Sequence, residues 1–147
     1  MTADEIRALL LDARICRSGD DLVGLDAAEI ARWESALGVR FPRQYRELLS
    51  AIGARRAQFY VGTDLFRPDL TEAAADMLDE NDNPITLPSG TVVLSMHQGY
   101  QFDSLVCGGR DDPPVHHFLE GRGWTLDHWP SLTAWIVGAA DWHRKYL

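Results

Sequence analysis

The sequence predicts a single α+β domain: a mainly antiparallel, twisted sheet of about five or six strands, packed with N-terminal helices and a C-terminal helix. Three observations lead there. Residues 91–120, TVVLSMHQGYQFDSLVCGGRDDPPVHHFLE, hold three strand-like runs broken by two turn signals. Residues 4–53 space their apolar side chains at helical intervals, and a last stripe runs from Leu132 to Trp142. With 147 residues and 46% hydrophobic content the chain can bury a core, and residues 1–147 are expected to fold as one unit.

Each element has its own signal. Ile6, Leu9, Leu10 and Ala13 fall at i, i+3, i+4 and i+7, one stripe of a helix over residues 4–15 that ends at Ser18-Gly19-Asp20-Asp21. Asp26 and Glu29 form a capping-box pair ahead of a second helix with Ile30, Trp33 and Leu37 inside and Gly38 at its end. Pro42 suits the first turn of a third helix striped by Tyr45, Leu48, Leu49 and Ile52. Gln58 to Val61 reads as a short strand, and Thr71 to Asp79 as an alanine-rich helix closed by the turn residues Asn81-Asp82-Asn83-Pro84. Val92 to Leu94 is β-branched and apolar, and Gln98-Gly99 reverses the chain. Tyr100, Phe102, Ser104 and Val106 then alternate with Gln101, Asp103, Leu105 and Cys107, the pattern of a half-buried strand. After the Gly108-Gly109 to Pro113-Pro114 loop, Val115 to Leu119 and Trp124 to Leu126 read as strands. Ser131 caps the terminal helix, whose inner face is expected to carry Leu132, Trp135, Ile136, Ala139 and Trp142.

Charge is unevenly placed. Residues 1–57 carry nine arginines against nine carboxylates, while residues 58–147 carry five cations against thirteen carboxylates, so the net −8 falls in the second part. A field of that sign repels nucleic acid and anionic membrane and steers basic partners, although surplus acid also serves plain solubility. The start Met1-Thr2-Ala3-Asp4-Glu5 has acid where a signal peptide has base, and no apolar run approaches the roughly 20 residues of a spanning helix. Cys16 and Cys107 lie far apart, which suits a reducing compartment. A soluble cytoplasmic protein, binding neither nucleic acid nor membrane, is expected.

Catalytic signatures are sparse. The sequence has no Gly-x-Ser-x-Gly, Walker phosphate loop, His-Glu-x-x-His or Cys-x-x-Cys. His97, Asp103, Cys107, His116 and His117 are the nearest approach to a site, but adjacent His116 and His117 point to opposite faces of a strand, so only one can join a given metal. The run-in Leu105-Val106 suggests a buried, inert Cys107 thiol. The expectation is a non-enzyme without metal or cofactor, with a small metal-dependent enzyme using His97 and His116 as the alternative.

The run DAAEIARWESALGVRFPRQYRELLSAIG, with Trp33-Glu34, Leu37-Gly38, Pro42, Tyr45 and Leu48-Leu49, resembles the opening signature of the SUKH superfamily. Leu94-Ser95-Met96-His97-Gln98-Gly99-Tyr100-Gln101-Phe102, then Asp112-Pro113-Pro114-Val115 and Glu120-Gly121, resembles the middle signature of members related to fungal cell-wall regulators. The likeness spans roughly residues 26 to 137 and departs at Ile52-Gly53-Ala54, where members commonly carry an Asn-Gly or Gly-Gly turn, and at Ser104, where an apolar residue is usual. It implies the same α+β architecture. It also implies a bacterial immunity protein that binds and neutralises a cognate toxin, often a nuclease, or else a signalling scaffold of the fungal type. A basic nuclease cleft is best met by acid. On that reading the toxin-facing surface is expected to use Asp76, Asp79, Glu80, Asp82, Asp103, Asp111 and Asp112, with Tyr100 or Phe66 as an aromatic anchor if exposed.

Overall fold

A computed structural model describes residues 1–80 and 86–147, and among these the chain forms five α-helices and seven strands in two antiparallel sheets. The α+β expectation holds. A small sheet pairs β1 (Leu22–Val23) with β2 (Arg55–Arg56). The main sheet runs in the order β3 (Asp64–Leu65), β4 (Thr91–His97), β5 (Gln101–Val106), β6 (Val115–Leu119), β7 (Gly123–Trp129).

Local chemistry sets most helix ends. In α1 (Ala3–Asp12) the Glu5 N–H donates to Thr2 Oγ1 at 3.2 Å. In α2 (Ala27–Leu37) both halves of the capping box form: Glu29 N–H to Asp26 Oδ1 at 2.8 Å and Asp26 N–H to Glu29 Oε1 at 3.2 Å. Gly38 ends α2 at φ 65°, a backbone that costs a side-chain-bearing residue strain. Pro42 precedes α3 (Arg43–Ile52) at the N-cap itself and not inside the first turn. Helix α4 (Asp69–Glu80) reaches back past Thr71 to Asp69, and α5 (Leu132–Tyr146) starts on Ser131, whose Oγ accepts from Ala134 N–H at 3.0 Å. A Cβ on Gly24 would lie 1.7 Å from the Ser50 carbonyl oxygen, so glycine is what lets α3 lie against β1.

The segment Gln58 to Val61 is a turn, not a strand. Ala57 and Tyr60 take positive φ, and the Arg56 guanidinium folds the loop by donating to the Phe59 carbonyl at 3.0 Å and the Thr63 carbonyl at 2.6 Å. The expected turn at 81–84 lies outside the described residues.

The half-buried reading of β5 is also corrected: Phe102, Asp103, Ser104 and Leu105 are all buried, because helices cover both faces of the sheet. Val92, Leu94, Leu105 and Val115 meet α1, α3 and α5 on one face. Val93, Met96, Phe102 and Phe118 meet Leu70, Ala74, Met77 and Leu78 of α4 on the other. Alternation in sequence reports one solvent face, and the middle of β5 has none. Phe41, Tyr45, Leu49, Trp135 and Ile136 share the first core; Trp33, expected on the inner face of α2, is only partly buried at its edge, and Phe102 belongs to the second.

Candidate functional site

Of the acids singled out by sequence, Asp76, Asp79 and Glu80 are exposed on α4 and Asp111 is exposed in the loop before β6. Asp82 lies outside the described residues. Asp103 does not belong to a surface. It is 6% exposed, and its Oδ2 accepts from Ser95 Oγ at 3.1 Å and from Trp135 Nε1 at 2.9 Å, while His117 Nδ1 lies 2.6 Å from Oδ1. A carboxylate between two helix layers is tolerated because donors converge on it. The register makes this possible: Val93 opposes Ser104 and Ser95 opposes Asp103, so the extra residue Leu94 turns Ser95 toward the carboxylate. Asp112 is half-buried and structural, its Oδ1 accepting from Thr133 N–H at 3.0 Å in the first turn of α5.

The remaining acids gain two members that the sequence reading missed. Asp69, Glu72, Asp76, Asp79 and Glu80 are all exposed on α4, and ADEIRALLLD-type mixed charge is absent: DLTEAAADMLDE contains no lysine or arginine. Their spacing of three and four residues forms one stripe down the outside of the helix, opposite Leu70, Ala74, Met77 and Leu78. That spacing was available in the sequence. The stripe and Asp111 are not brought together, since α4 covers one face of the sheet, whereas the Asp111 carbonyl accepts from Gln44 N–H at 2.9 Å on α3, over the other.

The histidines disperse. His97 Nδ1 pairs with Thr63 Oγ1 at 3.1 Å, His117 takes Asp103, and His116 Nδ1 accepts from the Asp127 N–H at 2.9 Å at the irregular part of β7. Among the described residues no group of three or more His, Cys, Asp or Glu is arranged to hold a metal ion. Burial, then Glu34, pushes the Cys107 thiol up to about 11, which leaves little thiolate near neutral pH.

A groove of about 820 Å³ opens on the α5 face of the sheet. Its floor is Phe59 and Tyr60, with Tyr60 stacked on buried Trp135 at 4.9 Å, and its walls include Trp129 and Trp142. Trp142 corrects an expectation. It is 56% exposed, since the buried stretch of α5 ends at Ala140, and its ring lies 5.3 Å from that of Tyr146. Of the two expected anchors, Tyr100 is 37% exposed at the β4–β5 turn and Phe66 is buried.

The profile of the SMI1 / KNR4 family (SUKH-1) matches residues 24–138. The chain belongs to this family. The SUKH-1 match begins just ahead of α2 and ends at Gly138 inside α5, so it takes in the whole main sheet, α3 and α4, while α1 and the groove wall from Ala139 onward lie outside it. It agrees with the span over which the sequence resembles SUKH proteins. No curated protein and no solved structure matches the chain. No helix among the described residues is long and apolar enough to cross a membrane.

Proposed function

We propose that this SUKH-1 chain is a bacterial immunity protein, not an enzyme, that binds and neutralises a cognate protein toxin with a basic surface. The observation that carries the reading is the α4 stripe: Asp69, Glu72, Asp76, Asp79 and Glu80, exposed on one helix without an interspersed cation. Asp69 and Glu72 lie in the first turn, where acid favours the helix dipole, and Asp69 pairs with Arg67 at 3.2 Å, but Asp79 and Glu80 sit at the helix C-terminus, where negative charge opposes the macrodipole by a few tenths of a kcal/mol. Presented to a nuclease cleft, the same carboxylates stand where substrate phosphates stand, and their long-range field speeds encounter. Membership of SUKH-1 supports an immunity-type or SMI1-like protein. Asp111 adds to the field from the opposite side of the sheet.

The test is association kinetics with the protein encoded beside this chain's gene, for the parent and for Asp76→Asn/Asp79→Asn and Asp79→Asn/Glu80→Gln. Expected are slower association at low salt, by about tenfold, and a flatter dependence on ionic strength. Association at the parental rate in both variants would remove the stripe from the interface, and absence of any complex would remove the toxin reading.

A further inference from the structure

We propose that His117 and His128, on the neighbouring strands β6 and β7, are the two protein ligands of a site for a divalent transition-metal ion of the zinc, nickel or copper type. Asp103 stands behind them and fixes His117. The site uses none of the α4 carboxylates.

Three adjacent strands build it. Asp103 of β5 opposes His117 of β6, and the His117 ring lies 5.5 Å from that of His128 of β7. A carboxylate only accepts, so His117 Nδ1, 2.6 Å from Asp103 Oδ1, carries the proton of the neutral ring. Nε2 is then a bare lone pair on the far side of the ring from Asp103. A ligating histidine whose other nitrogen donates to a carboxylate is the usual arrangement at protein metal centres. His128 comes within reach because β7 is irregular. Val115 opposes Trp129 and His117 opposes Thr125, so residues 126–128 of β7 stand against His116 alone. Asp127 takes φ 49° there, and its N–H donates to His116 Nδ1 at 2.9 Å, which holds the bulge.

Distance and charge both suit a metal. Two imidazoles on one tetrahedral ion, with metal–nitrogen bonds of about 2.0–2.1 Å, hold their ring centres about 5 Å apart. The observed 5.5 Å and 35° tilt leave only a side-chain adjustment at His128, which is exposed and has no hydrogen-bond partner for its ring among the described residues. Asp103 supplies the charge. It is buried, and its partners are the Ser95 hydroxyl, the Trp135 indole and the His117 imidazole, with no lysine or arginine among them. Buried carboxylates are ordinarily balanced by a cation, and a divalent ion on His117 provides one a single ring away. The other coordination positions are left to water.

Calorimetric titration of the untagged full chain with zinc chloride, and electron paramagnetic resonance of the copper-loaded chain, test this, with His128→Ala, His117→Gln and His143→Ala in parallel. His128 and His143 belong to neither core, so their variants should keep the parental melting temperature without metal. The parent should bind one zinc ion and show two imidazole nitrogens on copper. In His128→Ala zinc affinity should fall at least about tenfold and one nitrogen should remain, whereas His143→Ala should match the parent. Trp129, whose ring lies 4.3 Å from that of His128, gives a further readout: copper should quench part of the tryptophan emission in the parent and not in His128→Ala. His117→Gln should lose zinc like His128→Ala; if it does not fold, His128→Ala decides alone. No stoichiometric binding by the parent, parental affinity in His128→Ala, or an equal loss in His143→Ala would each overturn the proposal. Because no toxin enters these measurements, their failure leaves the α4 reading standing.

Discussion

One face of the main sheet is covered by α1, α3 and α5, with Tyr45 and Trp135 in its core and the Trp135 indole donating to the buried Asp103; the other is covered by α4 alone, through Leu70, Ala74, Met77 and Leu78. The first face is locked by hydrogen bonds as well as by packing. The α1 N-terminus is tied to α3 where the Met1 amine donates to Gln44 Oε1 at 2.7 Å, and α3 is tied to α5 where Thr133 Oγ1 donates to the same oxygen at 3.2 Å. The second face has a thinner apolar contact and turns five carboxylates to solvent. On the proposed function, stability and recognition are divided between the two faces, packing and hydrogen bonds on one side and exposed charge on the other, and the comparison can be broken by substitution.

The largest loss should follow Trp135→Ala. It deletes a fully buried indole stacked on Tyr60 and removes a donor from Asp103, so the cavity costs about 3–5 kcal/mol and the under-satisfied carboxylate adds to it. Urea denaturation reads this directly. A variant within about 1 kcal/mol of the parent would mean that Trp135 is no anchor of that face. Leu78→Ala on α4 should cost less, about 2–3 kcal/mol, because a single helix can settle onto the sheet. Hydrogen exchange should show α4 amides opening at lower free energy than those of α3; equal protection would abolish the proposed division.

Much of the fold was legible because short-range chemistry decides it. Asp26 with Glu29, Gly38, Ser131 and the Gln98-Gly99 reversal each act within a turn of where they stand. The site was legible only in part. Asp76, Asp79 and Glu80 are where exposed acids were expected, but Asp103 alternates along its strand like any surface residue, and only the arrival of α4 and α5 on both sides buries it. The groove had no local signal, since neither Ala57 nor Tyr60 advertises a left-handed backbone, and an exposed Trp142 looks in sequence like one more inward tryptophan.

Alkaline pH should act through the first face. Burial, and Glu34 after it, holds the Cys107 proton to about 11, and burial keeps the buried Tyr45 and Tyr60 phenols protonated well above the ordinary tyrosine range, with Cys107 and Asp103 as respective secondary causes. The unfolded chain releases these protons earlier, so their contribution is fully present below pH about 9 and is lost as pH rises toward 11 and beyond. For Cys107, half-exposed and partly screened, the loss is about 1 kcal/mol. Comparing denaturation at pH about 8 and about 10.5, Cys107→Ser should flatten the early part of the fall. An unchanged slope would show that the thiol is not the first group to act.

The smallest effects separate acids that hold the fold from acids that face outward, and they should differ in sign. Asp112→Ala removes the acceptor of Thr133 N–H at the start of α5, the same service an N-cap gives, and should lower stability by about 1 kcal/mol, a fall of about 2–5 °C in melting temperature. Asp79→Asn/Glu80→Gln removes two charges from the C-terminal end of α4, where they oppose the helix dipole, and should raise stability by a few tenths of a kcal/mol. Scanning calorimetry at low and high salt separates the cases, because the gain at Asp79 and Glu80 is electrostatic and fades with screening, whereas the loss at Asp112 is a hydrogen bond and persists. If the α4 double variant instead loses stability, its carboxylates have partners in the folded chain and are not held free for another protein.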